Sequence, residues 1–542
     1  MKIVKVIILL MAIIVLSFSS PGDSVDITTS DGQAYGQRLY ADSLDQFHFV
    51  YRRNQNWVWN FRDTNGTYYG SVDATPYTGG LGNVDVTRDA DPAWQRSTIC
   101  YHFNTGTNAF FSFIDIDAQN GWGSFPNDPK TPGYNNWLWP YVACVNSGNI
   151  VMATGDNAGL YHHVLTTTDE GLTWVNVLNY DSTAVFAKFV RSSNNHGSNR
   201  VVFVHTQFIT DTLGMGQLDQ DVYYTLSTDG GVTWGLHTNI THYSPADSVR
   251  AYAGLSAVFD LNDKLHIVWA GMHIVNGQYM DESKIFHWDE VSNMISVVSG
   301  LNPLFPGNWW GRRLGAVPAY EPQLILDKTS GWLFCLLHGQ TDTTDYSALG
   351  YPNGDLYGAY STDGGQNWDA YGSSYGYVNL TNTHTPGAQP GFCEDEDYMT
   401  ANPFTFHDSI VVTYLEDKNA GSISNDTILN VIRVWVFRKS LISGPSAITE
   451  NKAIKPNRLF MNISPIPASD QVEISFIIPE PGNVSLKLYS ADGRFVKDIE
   501  TGYKKAGANK TMISTRDLAN GNYYIVLSTG EEKIRRNIIV VR

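Results

Sequence analysis

Thr167-Thr168-Asp169-Glu170-Gly171-Leu172-Thr173-Trp174, Ser227-Thr228-Asp229-Gly230-Gly231-Val232-Thr233-Trp234 and Ser361-Thr362-Asp363-Gly364-Gly365-Gln366-Asn367-Trp368 are three copies of one pattern, Ser/Thr-x-Asp-x-Gly-x-x-Trp. Each copy follows an apolar, β-branched or aromatic run such as Val222 to Leu226. The residue types describe a turn. Glycine supplies a backbone position with φ > 0. The aspartate accepts backbone N–H groups within the loop. The tryptophan is large enough to pack between neighbouring sheets. Asp169, Gly171, Trp174, Asp229, Gly231, Trp234, Asp363, Gly365 and Trp368 are therefore expected to be structural.

A second repeat runs in phase with the turn. One strand type recurs seven times, at 46–53, 97–104, 149–155, 200–207, 265–271, 332–339 and 409–416, with starts 51, 52, 51, 65, 67 and 77 residues apart. These runs are mostly apolar on both faces, as befits strands sandwiched between neighbouring sheets. Asp169 and Asp229 are 60 residues apart, and another 60 leads to a decayed copy at His287-Trp288-Asp289-Glu290. Looser equivalents stand at Asp63-Thr64-Asn65-Gly66 and at Asp117 to Trp122. One strand type repeating with an in-phase turn is the signature of a β-propeller. Seven blades is the expectation and six the alternative. The segment around Tyr35 to Ala41 is expected to supply the outer strand that closes the ring.

The turn motif resembles the Asp-box of sialidase-like β-propellers. That resemblance implies the propeller fold. Sialidase activity would further need an arginine triad, a Tyr–Glu nucleophile pair and an Asp acid. The Arg-Ile-Pro signature is absent and arginines are sparse in the repeat region. A sialidase-like glycoside hydrolase is thus the alternative to a glycan- or protein-binding module, and enzymatic activity is left open.

Composition agrees with an all-β chain. Aromatic residues make up 13 % of the 542 residues and charged residues only 16 %. The net charge is −17, unevenly spread: from Pro456 onward there are 12 Lys+Arg and 9 Asp+Glu, so the rest carries −20. An acidic body argues against nucleic acid. The four cysteines (Cys100, Cys144, Cys335, Cys393) form no CxxC pair. Cys100 and Cys335 read as buried apolar residues, and a Cys100–Cys144 bridge is an open alternative.

Residues 1–19 read as a signal peptide: Lys2 and Lys5, then the apolar run Ile7 to Phe18, too short to span a bilayer. No later segment is apolar enough to cross a membrane as a helix. Residues 33–440 form the propeller, 441–458 a linker, and 459–542 an immunoglobulin-like β-sandwich of short alternating strands. Within that last region, Ser464-Pro465-Ile466-Pro467-Ala468, Val484 to Tyr489, Asp492-Gly493-Arg494, Leu518 to Tyr524 and the basic Lys533 to Arg536 resemble the type A C-terminal sorting domain of the type IX secretion system. The family more often has Pro-Asn-Pro where this chain has Pro465-Ile466-Pro467. The resemblance implies export and engagement of that secretion machinery, with the chain released or held at the outer cell surface.

Strand parity nominates a functional face. If the recurrent strand is the second of each blade, the motif turns join third to fourth strands. They then lie opposite the loops that usually carry function. The candidate ligand residues on the other face are Arg52, His102, His205, Trp309, Trp310, Glu321, His338, Asp397, Tyr398 and Glu416. Aromatics beside carboxylates and arginine suit a carbohydrate or a peptide. No cofactor is indicated, with calcium at the acidic run Glu394 to Asp397 the alternative.

Overall fold

The computed structural model describes residues 20–540 apart from 30–35, 74–78, 90–94, 105–109, 118–124, 126–128, 157–159, 182–186, 209–219, 302–318, 422–427, 445–459, 465–467 and stretches of one or two residues. The signal peptide, Trp309 and Trp310 lie outside the described residues. The chain divides into two compact units, Met1–Ser446 and Ala447–Arg542. Both are built of β-strands. Among the described residues the α-helix is one short turn, Ser440–Ser443.

The first unit is a succession of antiparallel strand groups. Group I is Leu39–Ala41, Phe47–Arg53, Asn56–Arg62 and Val72–Asp73; group II is Gly79–Val86, Ser97–Asn104 and Phe110–Ile116. Group III is Trp137–Cys144, Ile150–Asp156, Tyr161–Thr167 and Val175–Asp181; group IV is Lys188–Ser192, Val201–Phe208, Gln220–Ser227 and Thr238–Asn239. Group V is Val249–Phe259, Leu265–Val275, Gln278–Asp289 and Ile295–Leu301; group VI is Ala319–Leu326, Leu333–Gly339, Asp355–Ser361 and Val378–Asn379. Group VII is Asp395–Ala401, Ser409–Asp417, Asn430–Arg438 and, from the chain's other end, Asp23–Thr28. Groups IV and V are tied by a single residue pair, Gln220 with Ala251.

The first strands of successive groups touch one another in order, and that of group VII returns to that of group I. The arrangement is propeller-like, with the first strands around a central axis. Closure differs from the expectation. Leu39–Ala41 is the innermost strand of group I, and the closing outer strand is Asp23–Thr28, paired with Asn430–Arg438. The reason is parity: Leu39 and Tyr40 are buried, as an axial strand requires, while Asp23, Ser24 and Ile27 are exposed, as an outer strand allows. The unit also runs past residue 440, because Ile442 is fully buried against Gly358, whose missing side chain makes the space.

The seven recurrent runs are the second strands of the seven groups. Val201, Val202, Phe203 and Val204 are all buried, since a sheet lies against each face. The motif turns join third to fourth strands. Asp229 Oδ1 accepts the Thr233 N–H at 2.8 Å and the Ser227 hydroxyl at 2.8 Å, while Ser227 Oγ accepts the Gly231 N–H at 2.8 Å. The same bonds recur at Thr167–Asp169–Gly171 and Ser361–Asp363–Gly365. The second invariant role is steric. A Cβ on Gly231 would overlap Val151 of group III, and one on Gly365 would overlap His287 of group V. Each turn is therefore seated on the preceding group, and its glycine is needed for contact as well as for φ. Trp234 and Trp368 close the turn by donating to the Gly231 and Gly365 carbonyls at 2.9 Å.

The second unit holds two sheets. One is Phe460–Ser464, Gln471–Ile478 and Gly507–Ser514; the other is Phe495–Lys504, Gly482–Ser490, Gly521–Thr529 and Glu532–Val540. Alternating residues point inward, so Leu486, Leu488, Ile525, Leu527 and Ile538 are fully buried with Val472, Ile474 and Phe476.

Candidate functional site

First strands begin, and second strands end, on one face of the ring, here the upper face. The motif turns lie on the lower face. Near the upper face the first strands of groups II, III, V, VI and VII break register against their neighbours: around 80–83, 138–141, 251–255, 320–323 and 397–400. Trp139, Glu321 and Tyr398 sit in three of these bulges with φ of 53°, 51° and 49°. A bulge adds a residue to one strand and re-aims its side chains.

These starts and ends bring together Arg52, His102, Tyr141, Lys188, Glu321 and Tyr398, one from each of groups I, II, III, IV, VI and VII. The Lys188 ammonium lies 5.4 Å from the centroid of the Tyr141 ring. His102 Nδ1 accepts the Trp139 N–H at 3.1 Å, and Gly80 leaves room for the imidazole. His102, Tyr141, Lys188, Glu321 and Tyr398 are buried. Burial drives the electrostatics. It lowers Lys188 well below the usual amine range. It lowers His102 to about 3, with help from the charges of Lys188 and Arg52. Burial, then Cys100 and Glu321, pushes the Tyr141 phenol up. Desolvation also lowers Arg52, while Tyr398 opposes it. Burial thus disfavours the charged forms of Lys188 and His102 beside a phenol held in its protonated form, and the cluster offers hydrogen-bond donors and acceptors to a bound hydroxyl.

Below this cluster the axis is blocked. The Arg191 guanidinium donates to Gln37 Oε1 and to the Ala257 carbonyl at 3.2 Å, and Gln37 Nε2 donates to the Ala401 carbonyl at 2.7 Å. Arg191 is spent on this plug, and Arg250 on the Asp247 and Val249 carbonyls. The lower mouth is a separate cavity of about 530 Å³ whose walls include Tyr40, Arg88, Gln95, Asn194, Asn195 and Lys328. There the Tyr40 hydroxyl donates to Asn194 at 2.6 Å and accepts from Arg88 at 2.7 Å.

The other sequence candidates go elsewhere. His205 packs between groups III and IV, stacked 5.1 Å from Tyr180 and from His237. Glu416 is taken by Arg433 at 2.5 Å and by Lys418. His338 and Asp397 join groups VI and VII: Asp397 Oδ1 accepts the Tyr320 hydroxyl at 2.9 Å and faces His338 Nε2 at 3.1 Å. With Asp395 they bring three candidate metal-ligand atoms within 4.8 Å of one another. Asp395 Oδ1 already accepts the Gly354 N–H at 2.6 Å. A site containing imidazole would suit zinc better than calcium, which takes six to eight oxygens. Lys188 was missed because it reads as one cation opening an apolar strand; Gln37 and Arg191 left no sequence signal at all.

All four cysteines are free thiols, so the Cys100–Cys144 bridge is not formed; both are buried in one apolar cluster. Among the described residues no helix is long and apolar enough to cross a membrane.

The family described as "Secretion system C-terminal sorting domain" matches residues 462–541. The second unit is a sorting domain, and the chain is exported to the cell surface or beyond. No curated protein matches the chain. Among solved structures, it is similar to a PL25 ulvan lyase bound to a GlcA–Rha3S saccharide (12 % identity, TM-score 0.45, covering 78 % of this chain and 95 % of that one). It is also similar to a GH74 xyloglucanase from Xanthomonas campestris (11 %, 0.42, 84 % and 59 %). A third is the β-propeller domain of the trilobed protease from Pyrococcus furiosus (9 %, 0.33, 84 % and 97 %). Likenesses this distant say nothing of chemistry.

Proposed function

We propose that the chain is an exported seven-bladed β-propeller of the Asp-box type, carried out by an immunoglobulin-like sorting domain, and that it binds a glycan at the upper end of its axis. The observation that carries this is the convergence of Arg52, His102, Tyr141, Lys188, Glu321 and Tyr398 from six groups far apart in sequence. Structural ion pairs need two partners; six titratable or aromatic polar side chains around one axis make a site. Phenol, carboxylate and cation donors and acceptors suit a hydroxyl-rich ligand. The test is a glycan array followed by titration calorimetry on the purified full chain. Tyr141→Phe and Glu321→Gln should each weaken binding by about tenfold, the scale of one lost hydrogen bond to a charged or buried partner. A folded chain that binds no glycan, or variants that bind as tightly as the parent, would overturn the proposal.

A second reading is the sialidase-like hydrolase: Tyr141 and Glu321 are both buried within the same axial cluster, the residue types that such a hydrolase uses as its Tyr–Glu pair. Turnover of a fluorogenic sialoside, lost in Tyr141→Phe, would establish hydrolysis in place of binding alone.

A further inference from the structure

Strand alternation should leave the outer face of the sorting domain's four-stranded sheet polar. It does so only in part. Opposite the buried Leu486, Leu488, Ile525 and Leu527, the outward positions hold Lys487, Tyr489, Tyr524 and Val526. Phe495, 53 % exposed, sits edge-on to Tyr489 at 5.9 Å. The Arg535 guanidinium lies 4.6 Å from the Tyr524 ring centroid. Tyr489, Tyr524, Val526 and Arg535, with Ala491 and Gly493 at one end, line a cleft of about 350 Å³. The two cations differ. Lys487 is paired with Asp498 at 3.3 Å, whereas Arg535 has no carboxylate partner among the described residues. A half-open aromatic cleft with an arginine stacked on its wall has the composition of interface hot spots.

We propose that this cleft is the surface by which the secretion machinery grips the domain, and that its occupant is an extended acidic segment of a machinery component. The whole cleft falls within residues 462–541, the part that is a sorting domain. Charge complementarity selects the occupant: the region from Pro456 carries 12 Lys+Arg against 9 Asp+Glu, and Arg535, stacked on Tyr524 and without a carboxylate partner among the described residues, presents a fork suited to a carboxylate. The neighbouring apolar side chain of the segment would seat between Tyr489 and Tyr524.

The test uses the full chain in a cell that has a type IX secretion system, with delivery read as the ratio of surface-plus-medium protein to periplasmic protein. Tyr524→Ala and Arg535→Glu should each lower delivery by about tenfold, as expected for loss of a hot-spot side chain. Arg535→Lys should fall less. Arg516→Glu, which breaks an exposed pair with Asp470 outside the cleft, should be delivered normally. Thermal unfolding of the purified variants separates misfolding from failed recognition. Normal delivery of Arg535→Glu and Tyr524→Ala, while deletion of 459–542 traps the chain, would overturn the cleft assignment alone. Normal delivery of the deletion would overturn the cleft and the export role of the domain together.

Discussion

The motif turn makes a prediction within a single pair of neighbouring glycines. Gly364 and Gly365 both have φ in the left-handed region, 76° and 85°. Alanine at either position carries the backbone penalty of about 1 kcal/mol. The two differ in what a Cβ would meet. At Gly364 there is nothing within 4 Å, and at Gly365 there is the His287 imidazole. His287 cannot step aside: it is fully buried, 3.0 Å from His266 through the ring nitrogens, and flanked by the Trp368 ring at 5.4 Å. Overpacking of this kind costs about 1–3 kcal/mol more. Gly364→Ala should therefore cost about 1 kcal/mol and Gly365→Ala about 3 kcal/mol. The first copy of the turn already carries Glu170 at the position of Gly364, with φ of 58°, which fits the lower cost. The assay is the urea midpoint of the full chain followed by tryptophan fluorescence. In a His287→Ala background the steric part should vanish, leaving Gly365→Ala near 1 kcal/mol. Equal costs for the two glycines, or a Gly365→Ala cost unchanged by His287→Ala, would refute the account of the turn as a spacer-free contact between groups.

Acid should destabilise the first unit from about pH 6.5 downward. Burial lowers His102 and His205 to about 3, and His162 and His287 well below their ordinary value. Depressed in the fold, each contributes stability that is complete above the unfolded pKa and is lost as pH falls toward the folded one, at about 1.4 kcal/mol per histidine per pH unit. Asp355 and Glu396, raised by burial, act with the opposite sign and partly offset this. Melting temperature against pH should fall between pH 7 and 5, less steeply in His205→Phe; a flat profile would contradict the neutral buried histidines. The thiols give a second check. Burial pushes Cys100, Cys144 and Cys335 up, and Cys393 to about 11. A disulfide-exchange reagent should find almost no reactive thiol in the native chain and four after denaturation without reductant. A count of two would mean a disulfide that the fold does not contain.

The strand groups were legible because their signal is redundant. Each second strand is a long apolar run, and three turns repeat the same hydrogen-bonding residues in phase with it. The closing strand was not legible. Asp23-Ser24-Val25-Asp26-Ile27-Thr28 alternates weakly and carries two aspartates, because one edge of an outer strand faces solvent and little burial constrains it. Its partner lies some four hundred residues away, and local pattern carries no information about pairing at that distance.

The site was half legible, and the histidines show why. His102, His205 and His338 occupy the same place near the ends of second strands, so the sequence treats them alike. In the fold His102 meets Trp139 and His338 meets Asp397, each on the following group, while His205 meets Tyr180 on the preceding one. Side chains alternate faces with a period of two, so a shift of one residue in strand register carries a histidine from one side of its sheet to the other. The bulges near the starts of the first strands then decide which side chains reach the axis. Glu321 and Tyr398 arrive there through a backbone conformation that neither residue type favours, and Lys188 arrives by register alone. An axial site of this kind is encoded by strand phase rather than by a motif. The conspicuous motif, on the lower face, could fix the scaffold without pointing to it.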